Sequence, residues 1–163
     1  MIVCEAVVSA ALCVLVAAAA KGTGEPKPVF KMSPVGTVRK AEGATRLEIE
    51  PAYAKALKGL DGFSHVVVLY WFDKNDTPAK RGILQVHPRG KRENPLTGVF
   101  ACRAPVRPNL IAMSVCRIEA VEGGVVRVAG IDAFDGTPIL DLKPYIPAID
   151  APKDVRLPDW LKR

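Results

Sequence analysis

Residues 98–115, GVFACRAPVRPNLIAMSV, set Arg103 and Arg107 four apart, with Pro105 and Pro108 stiffening the backbone around them. Planar guanidinium forks suit carboxylates and phosphates, because two donors meet two acceptor oxygens at once. Proline fixes φ and lowers the entropy lost when neighbouring side chains are immobilised on a ligand. Asn109 follows directly and carries a donor and an acceptor able to read the edge of a heterocycle. The same residues also have a structural reading. In it, one arginine pairs with a carboxylate at the rim of the core, and Asn109 caps a turn.

A second group lies in residues 130–145, GIDAFDGTPILDLKPY. Asp132 closes an apolar stretch and is expected to stand exposed at the end of a sheet, where a carboxylate can orient an amine or balance a cation. Asp135 to Pro138 read as a turn in which Asp135 bonds its own backbone. Asp141 and Lys143 read as a strand-surface ion pair, which is worth little. Lys80, Arg81, Arg89, Lys91 and Arg92 form a third group, with Glu93 the nearby acid. Such a run is a solvated face, or a phosphate track if it shares a rim with Arg103 and Arg107. Of the two histidines, either could serve as a base, but His65 begins an apolar strand and reads as a hydrogen-bonded structural group. These histidines, with Cys102 and Cys116 in no CxxC spacing, do not make a zinc site. GxGxxG, P-loop, GxSxG and HExxH motifs are absent from the sequence.

The elements that must position these groups are short. VFKMSPVGTVRK is β-branched and partly alternating and reads as a first strand or pair of strands around Pro34 and Gly36, and TRLEIE alternates as a half-buried strand. PAYAKALKGL predicts one short helix, because Pro51 suits a first turn and Tyr53, Ala56, Leu57 and Leu60 fall at i, i+3, i+4 and i+7. HVVVLYWF has no polar alternation after His65, which predicts a central strand covered on both faces. GILQVH, VFACR, LIAMSVCRIEAV and VVRVAGI read as further strands, the last two joined by a turn at Gly123-Gly124. Residues 133–147 read as turn-rich, and the proline-interrupted tail is expected over the surface, anchored by Trp160. About seven short strands without βαβ alternation predict a mainly β fold: a small antiparallel β-barrel with one or two short helices.

The chain has 163 residues, 49% of them apolar and a formal charge of +6, enough for one packed domain and a weak hint of an anionic partner. Ala6 to Ala20 is an apolar run ending in small residues before Lys21, the pattern of a secretory signal and too short for a stable membrane span. Glu5 and the lack of a preceding cation oppose that reading, and a start at Met32 is the alternative. The protein is expected to be exported if residues 1–20 are a signal, and cytoplasmic otherwise. Residues 21–28, KGTGEPKP, read as a linker. Cys102 and Cys116 could bridge in an oxidising compartment and would be buried thiols in cytosol.

The segments GLDGFSHVVVLYWF, GVFACRAPVRPN and GIDAFDGTPILDLKPYIP, in that order across residues 29–147, resemble the TrmO-type (TsaA-like) methyltransferase family. The resemblance implies a small β-barrel that uses S-adenosylmethionine, commonly as a homodimer with the cofactor near the subunit interface. The implied reaction methylates the exocyclic amine of a threonylcarbamoyl-modified adenosine beside the tRNA anticodon. It places Arg103, Met113, Gly130, Ile131 and Asp132 at the cofactor, and Arg107, Asn109, Asp135, Lys143 and Tyr145 at the substrate. It assigns no general base and no metal. Leu110 and Ala112 depart from the family's usual Pro and Gly, and the segment RKAEGATRLEIE is shorter than its counterpart. The competing expectation is an exported or diverged S-adenosylmethionine-binding domain that acts on another small acceptor or without turnover. A plain nucleic-acid module is disfavoured, since 6% aromatic residues leave few stacking platforms. The central expectation is that the arginine loop and Asp132 converge on one pocket.

Overall fold

The computed structural model describes residues 28–41 and 43–162. The chain divides into two units, Met1–Lys31 and Met32–Arg163. The signal and nearly all of the linker expected from the sequence lie outside the described residues, and 28–31 are exposed and without regular structure.

The second unit is a closed barrel. Strands β1 (Gly36–Ala41), β2 (Ala44–Ile49), β3 (His65–Trp71), β6 (Ile111–Glu122), β7 (Val125–Ala129) and β8 (Pro138–Pro144) follow one another around it in the order β1-β2-β7-β6-β3-β8, with β8 returning to β1. Every pairing is antiparallel. A separate two-stranded ribbon, β4 (Gln85–Val86) with β5 (Thr97–Gly98), sits in the connection between β3 and β6. Among the described residues, the short helices α1 (Pro78–Arg81) and α2 (Pro147–Asp150) and several 3-10 segments complete the regular structure. The barrel class expected from the sequence is therefore the one observed.

Alternation along each strand sends Val38, Leu47, Val66, Val68, Tyr70, Cys116, Val126, Val128 and Ile139 into one interior cluster. Closure needs tight corners. A Cβ at Gly36 would collide with the Glu48 carbonyl oxygen, so the β1–β2 approach requires glycine. Gly123 and Gly124 have φ of 58° and 83° between the paired residues Glu122 and Val125, the two-residue turn that right-twisted hairpins favour.

Four expectations fail in detail. The helix at 51–57 is 3-10 and buries Leu57; Leu60 is buried in a separate turn, Leu60–Gly62, while Tyr53 and Ala56 are exposed. Lys58 N–H donates to Lys55 O at 3.3 Å where the helix ends, and Gly59 at φ 87° interrupts the helical path between the two buried leucines. Val99–Ala101 is a 3-10 turn and not a strand: Val99 is buried, and its N–H donates to Leu84 O at 3.0 Å just before the chain turns. GILQVH shrinks to the pair Gln85–Val86. Residues 138–144, read as turns, form β8: the prolines that disguised it sit at its two ends, where a ladder tolerates a missing N–H. The tail runs exposed to Trp160 as expected.

Strand directions place the long connections together. The 72–110 connection leaves β3 after Trp71 and re-enters β6 at Ile111, and those two residues are paired. The 130–137 segment lies at the same end: Tyr70 Oη donates to Asp132 O at 2.6 Å, and Gly136 N–H donates to Val38 O at 2.8 Å. The other end of β3, at His65, faces Arg117 and is followed through Tyr145 N–H to His65 O at 3.1 Å.

Candidate functional site

The 72–110 connection is fastened largely by side chains bonding to main-chain carbonyls. Arg81 donates to Pro108 O at 3.0 Å and to Asp76 at 2.7 Å, and its guanidinium lies 5.2 Å from the Trp71 ring. The Arg81 bond, with a second from the Trp71 indole, holds the Asp76 carboxyl below its ordinary range. Arg107 donates to Val99 O at 3.0 Å, closing the loop it belongs to. Asn94, a buried polar residue, donates to Pro88 O at 2.8 Å, and its own carbonyl accepts from His87 Nδ1 at 2.8 Å. Since a carbonyl can only accept, the neutral His87 ring carries its proton on Nδ1 and leaves Nε2 as the acceptor. Asn94 went unnoticed in the sequence because a clasp of this kind shows only once the turn is closed.

These ties shape a cleft of about 890 Å³ whose lining includes His87, Arg89 and Arg103 together with Phe100, Val106 and Trp160. Arg89 has φ 59°, a left-handed conformation that is uncommon for a residue with a Cβ and concentrates at functional sites. The cleft thus offers guanidinium groups beside apolar and aromatic walls, an arrangement able to take a planar heterocycle carrying a carboxylate or phosphate.

The sequence-predicted site residues divide into groups. Arg103 lines the cleft and is exposed. Arg107 and Asn109 belong to the same loop, but Arg107 is spent on Val99 O, a carbonyl and not the carboxylate that the structural reading expected. Met113 points outward from β6, 41% exposed, in line with Ile111 and Val115. Gly130 approaches that strand, with a hypothetical Cβ 3.9 Å from Val115 O. The Ile131 side chain is buried in the interior cluster, so the main chain is what it can offer a ligand, and its carbonyl already accepts from Lys40 Nζ at 3.4 Å. Asp132 is exposed beside Tyr70. Burial pushes the Tyr70 phenol above its ordinary value, the Asp132 charge adds to this, and the bond to Ser114 opposes it.

Asp135 does not bond its own turn; it accepts from Lys40 N–H of β1 at 2.9 Å and so ties the turn before β8 to the barrel. Lys143 and Asp141 form the expected surface ion pair at 2.7 Å. Tyr145 stacks edge-on to His65 at 6.2 Å, at the end of β3 away from the arginine loop, so one protomer does not join it to Asn109. His65 is bonded to Ser64 at 2.9 Å, the structural role read from its position. The cation run also splits: Arg89 faces the cleft, Arg81 is tied to Asp76, and Lys91 pairs with Glu93 at 3.7 Å. Cys102 and Cys116 are free thiols. Arg103 and Asp132 occupy the same end of the barrel, yet Asp132 does not line the cleft. The single pocket expected from the sequence is, within one chain, two neighbouring groups.

The outer face between β3 and β6 holds the second group. Val67 is paired with Val115, Leu69 with Met113, and Trp71 with Ile111. The β3 side chains on this face are half-buried and those on β6 exposed, whereas the inward Val66, Val68, Tyr70, Ala112 and Cys116 are buried.

A closed six-stranded antiparallel barrel, with a cationic cleft in its longest connection and an apolar strip on its wall, defines the class. The model of the tRNA-methyltransferase O N-terminal domain matches residues 30–151, and the chain belongs to this family. It is 41% identical over 125 residues to a probable S-adenosyl-L-methionine-binding protein of Methanocaldococcus jannaschii, covering 77% of this chain and 99% of the relative. It is 44% identical over 103 residues to the human tRNA (adenine(37)-N6)-methyltransferase, covering 63% of this chain and 23% of that protein. The crystal structure of TrmO from Pseudomonas aeruginosa superposes with a TM-score of 0.63 at 33% identity, covering 82% of this chain. The chain spans 62% of that solved chain.

Proposed function

We propose that the protein is an S-adenosylmethionine-dependent methyltransferase whose acceptor is the exocyclic amine of a threonylcarbamoyl-modified adenosine beside the tRNA anticodon. The observation that carries the reading is the cleft that joins Arg103 and Arg89 to aromatic walls, in a chain of the tRNA-methyltransferase O family. Its volume lies within the ~300–1,000 Å³ of small-molecule sites. Arg103 and Arg89 suit the cofactor's carboxylate, and Phe100 and Val106 suit its apolar surface.

When bound, the cofactor supplies an activated methyl group: an S–C bond breaks, an N–C bond forms, and the amine loses a proton. The chain's own contribution is alignment and exclusion of water. Arg103 and the Arg107–Val99 tie hold the loop and ligand in register. His87, with Nδ1 committed to Asn94 O, keeps Nε2 available to accept the departing proton. The exposed β3–β6 strip is the surface for a second copy, and a homodimer formed there would bring Met113, Gly130 and Asp132 of one chain toward the cleft of the other. What supports the dimer is HVVVLYWF itself, apolar on a face that the single chain leaves half-covered.

Calorimetry of S-adenosylmethionine binding, followed by label transfer to tRNA with and without the threonylcarbamoyl group, tests the reading. Binding weakened at least about tenfold by Arg103→Ala at unchanged melting temperature is expected, since a charge-assisted pair is lost from an exposed side chain. Transfer is expected to the modified tRNA alone. Binding without transfer to either tRNA would replace this reading with that of a binding domain for another acceptor, which the relative named only for S-adenosyl-L-methionine binding favours. No binding would remove both.

A further inference from the structure

The segment after β8 behaves unlike the rest of the chain. From Ile146 to Leu161 it runs past α2 through Pro147, Pro152 and Pro158, and every residue is exposed except Trp160. It leaves β8 at the His65 end of the barrel, where Tyr145 N–H donates to His65 O. Yet Trp160 and Leu161 line the cleft formed by the connection that departs from β3 at its Trp71 end. A strap that crosses the barrel and half-buries one side chain has concentrated its docking in that indole.

The local backbone is built to present it. Pro158 at φ −67° leads into a single 3-10 turn, Asp159–Leu161, closed by Leu161 N–H to Pro158 O at 3.0 Å and by Lys162 Nζ to Asp159 at 2.8 Å. The family model ends at residue 151, so this turn is not part of what the chain shares with that model. Arg89, Arg103 and His87 line the same cleft as Trp160 and Phe100, the combination of π-faces and cations that suits a purine nucleoside with a charged substituent.

We infer that Trp160 is a ligand-binding residue: its indole is the platform on which an adenine ring stacks in the cleft, and the tail is the strap that carries it there. The inference rests on the proposed function for the identity of the ligand, and both the cofactor and the acceptor nucleoside contain this ring. Loss of one base–aromatic stack weakens binding roughly tenfold.

The test uses the full chain, with Trp160→Ala and Trp160→Phe, titrated by calorimetry with S-adenosylmethionine in one arm and an anticodon stem-loop oligonucleotide in the other. Tryptophan fluorescence in a Trp71→Phe background provides a second readout, since it reports on Trp160 alone. The expected result is a roughly tenfold loss in one arm for Trp160→Ala, near-complete rescue by Trp160→Phe, and quenching of Trp160 by the same ligand; the affected arm identifies whose adenine is stacked. Unaltered affinity in both arms together with unquenched fluorescence, in a protein that binds either ligand, overturns the inference and leaves the proposed function standing. Failure of the unmutated protein to bind either ligand overturns both.

Discussion

The cleft and the β3–β6 wall are neighbours built on opposite principles. The cleft is made from loops, with its cations exposed and its backbone tied by Arg81, Arg107 and Asn94 to main-chain carbonyls. The wall is made from two of the longest-paired strands, rigid by its ladder, and it turns Ile111, Met113 and Val115 to the outside. A loop cleft can close on a small charged ligand and be retuned by single residues. A flat apolar strip cannot select a small ligand and instead suits another protein surface. On the proposed function, a complete site draws on both: Arg103 stands in one region, Met113 and Asp132 in or beside the other.

The largest expected effect comes from breaking the wall alone. Met113→Glu places a charge in the centre of the strip without touching the cleft; if the proposed homodimer forms there, sedimentation should show the unmutated chain as a dimer and the variant as a monomer at the same concentration. If the site is shared, S-adenosylmethionine affinity falls with it; retained affinity in a monomer would make the cleft self-sufficient.

The interior between the two regions gives a pH signature. Burial pushes the Cys116 thiol up to about 11, whereas an unfolded thiol titrates near ~8.5. The neutral thiol is thus favoured by the fold, and its contribution is fully present below about pH 8.5 and lost as pH rises toward 11, by roughly 1–3 kcal/mol. Urea unfolding at pH 8 and pH 10.5 should show that loss, and Cys116→Ala should have a shallower dependence than the unmutated chain. Cys102, half-exposed at the cleft, should react with a thiol reagent long before Cys116 does.

Tyr70→Phe sharpens the comparison further. It removes the bonds to Asp132 O and Ser114, which link the β7–β8 connection to the wall, and should cost about 1–2 kcal/mol in chemical unfolding. Displacement of Asp132 should then appear as weaker cofactor binding if that carboxylate serves the site. Lys143→Ala should do least. Its pair with Asp141 is exposed, so the melting temperature should stay unchanged, and a drop in tRNA affinity would be the one sign of a substrate role.

The sequence showed the barrel through its alternating strands, and it showed the arginine loop through its prolines. It missed β8, because Pro138 and Pro144 imitate turns while standing at the ends of a paired strand. It misread VFACR because one buried Val99 within a short apolar run does not distinguish a strand from a tight turn. Asp135 was legible as a turn residue, but its partner is Lys40, far away in the chain, and no local pattern carries that information. His87 and Trp160 were visible as residue types, and what united them in one cleft was the path of the tail.

Residue types and their short-range order determined the class of fold, the cationic character of residues 103 and 107, and the apolar wall strand, because periodicity and backbone chemistry act over a few residues. Only the tertiary structure decided which arginine is free for a ligand and which one holds its own loop, and whether Asp132 joins Arg103 in a cleft. Those outcomes depend on hydrogen-bond partners from distant segments that meet when the barrel closes, and a linear sequence does not encode such distances locally.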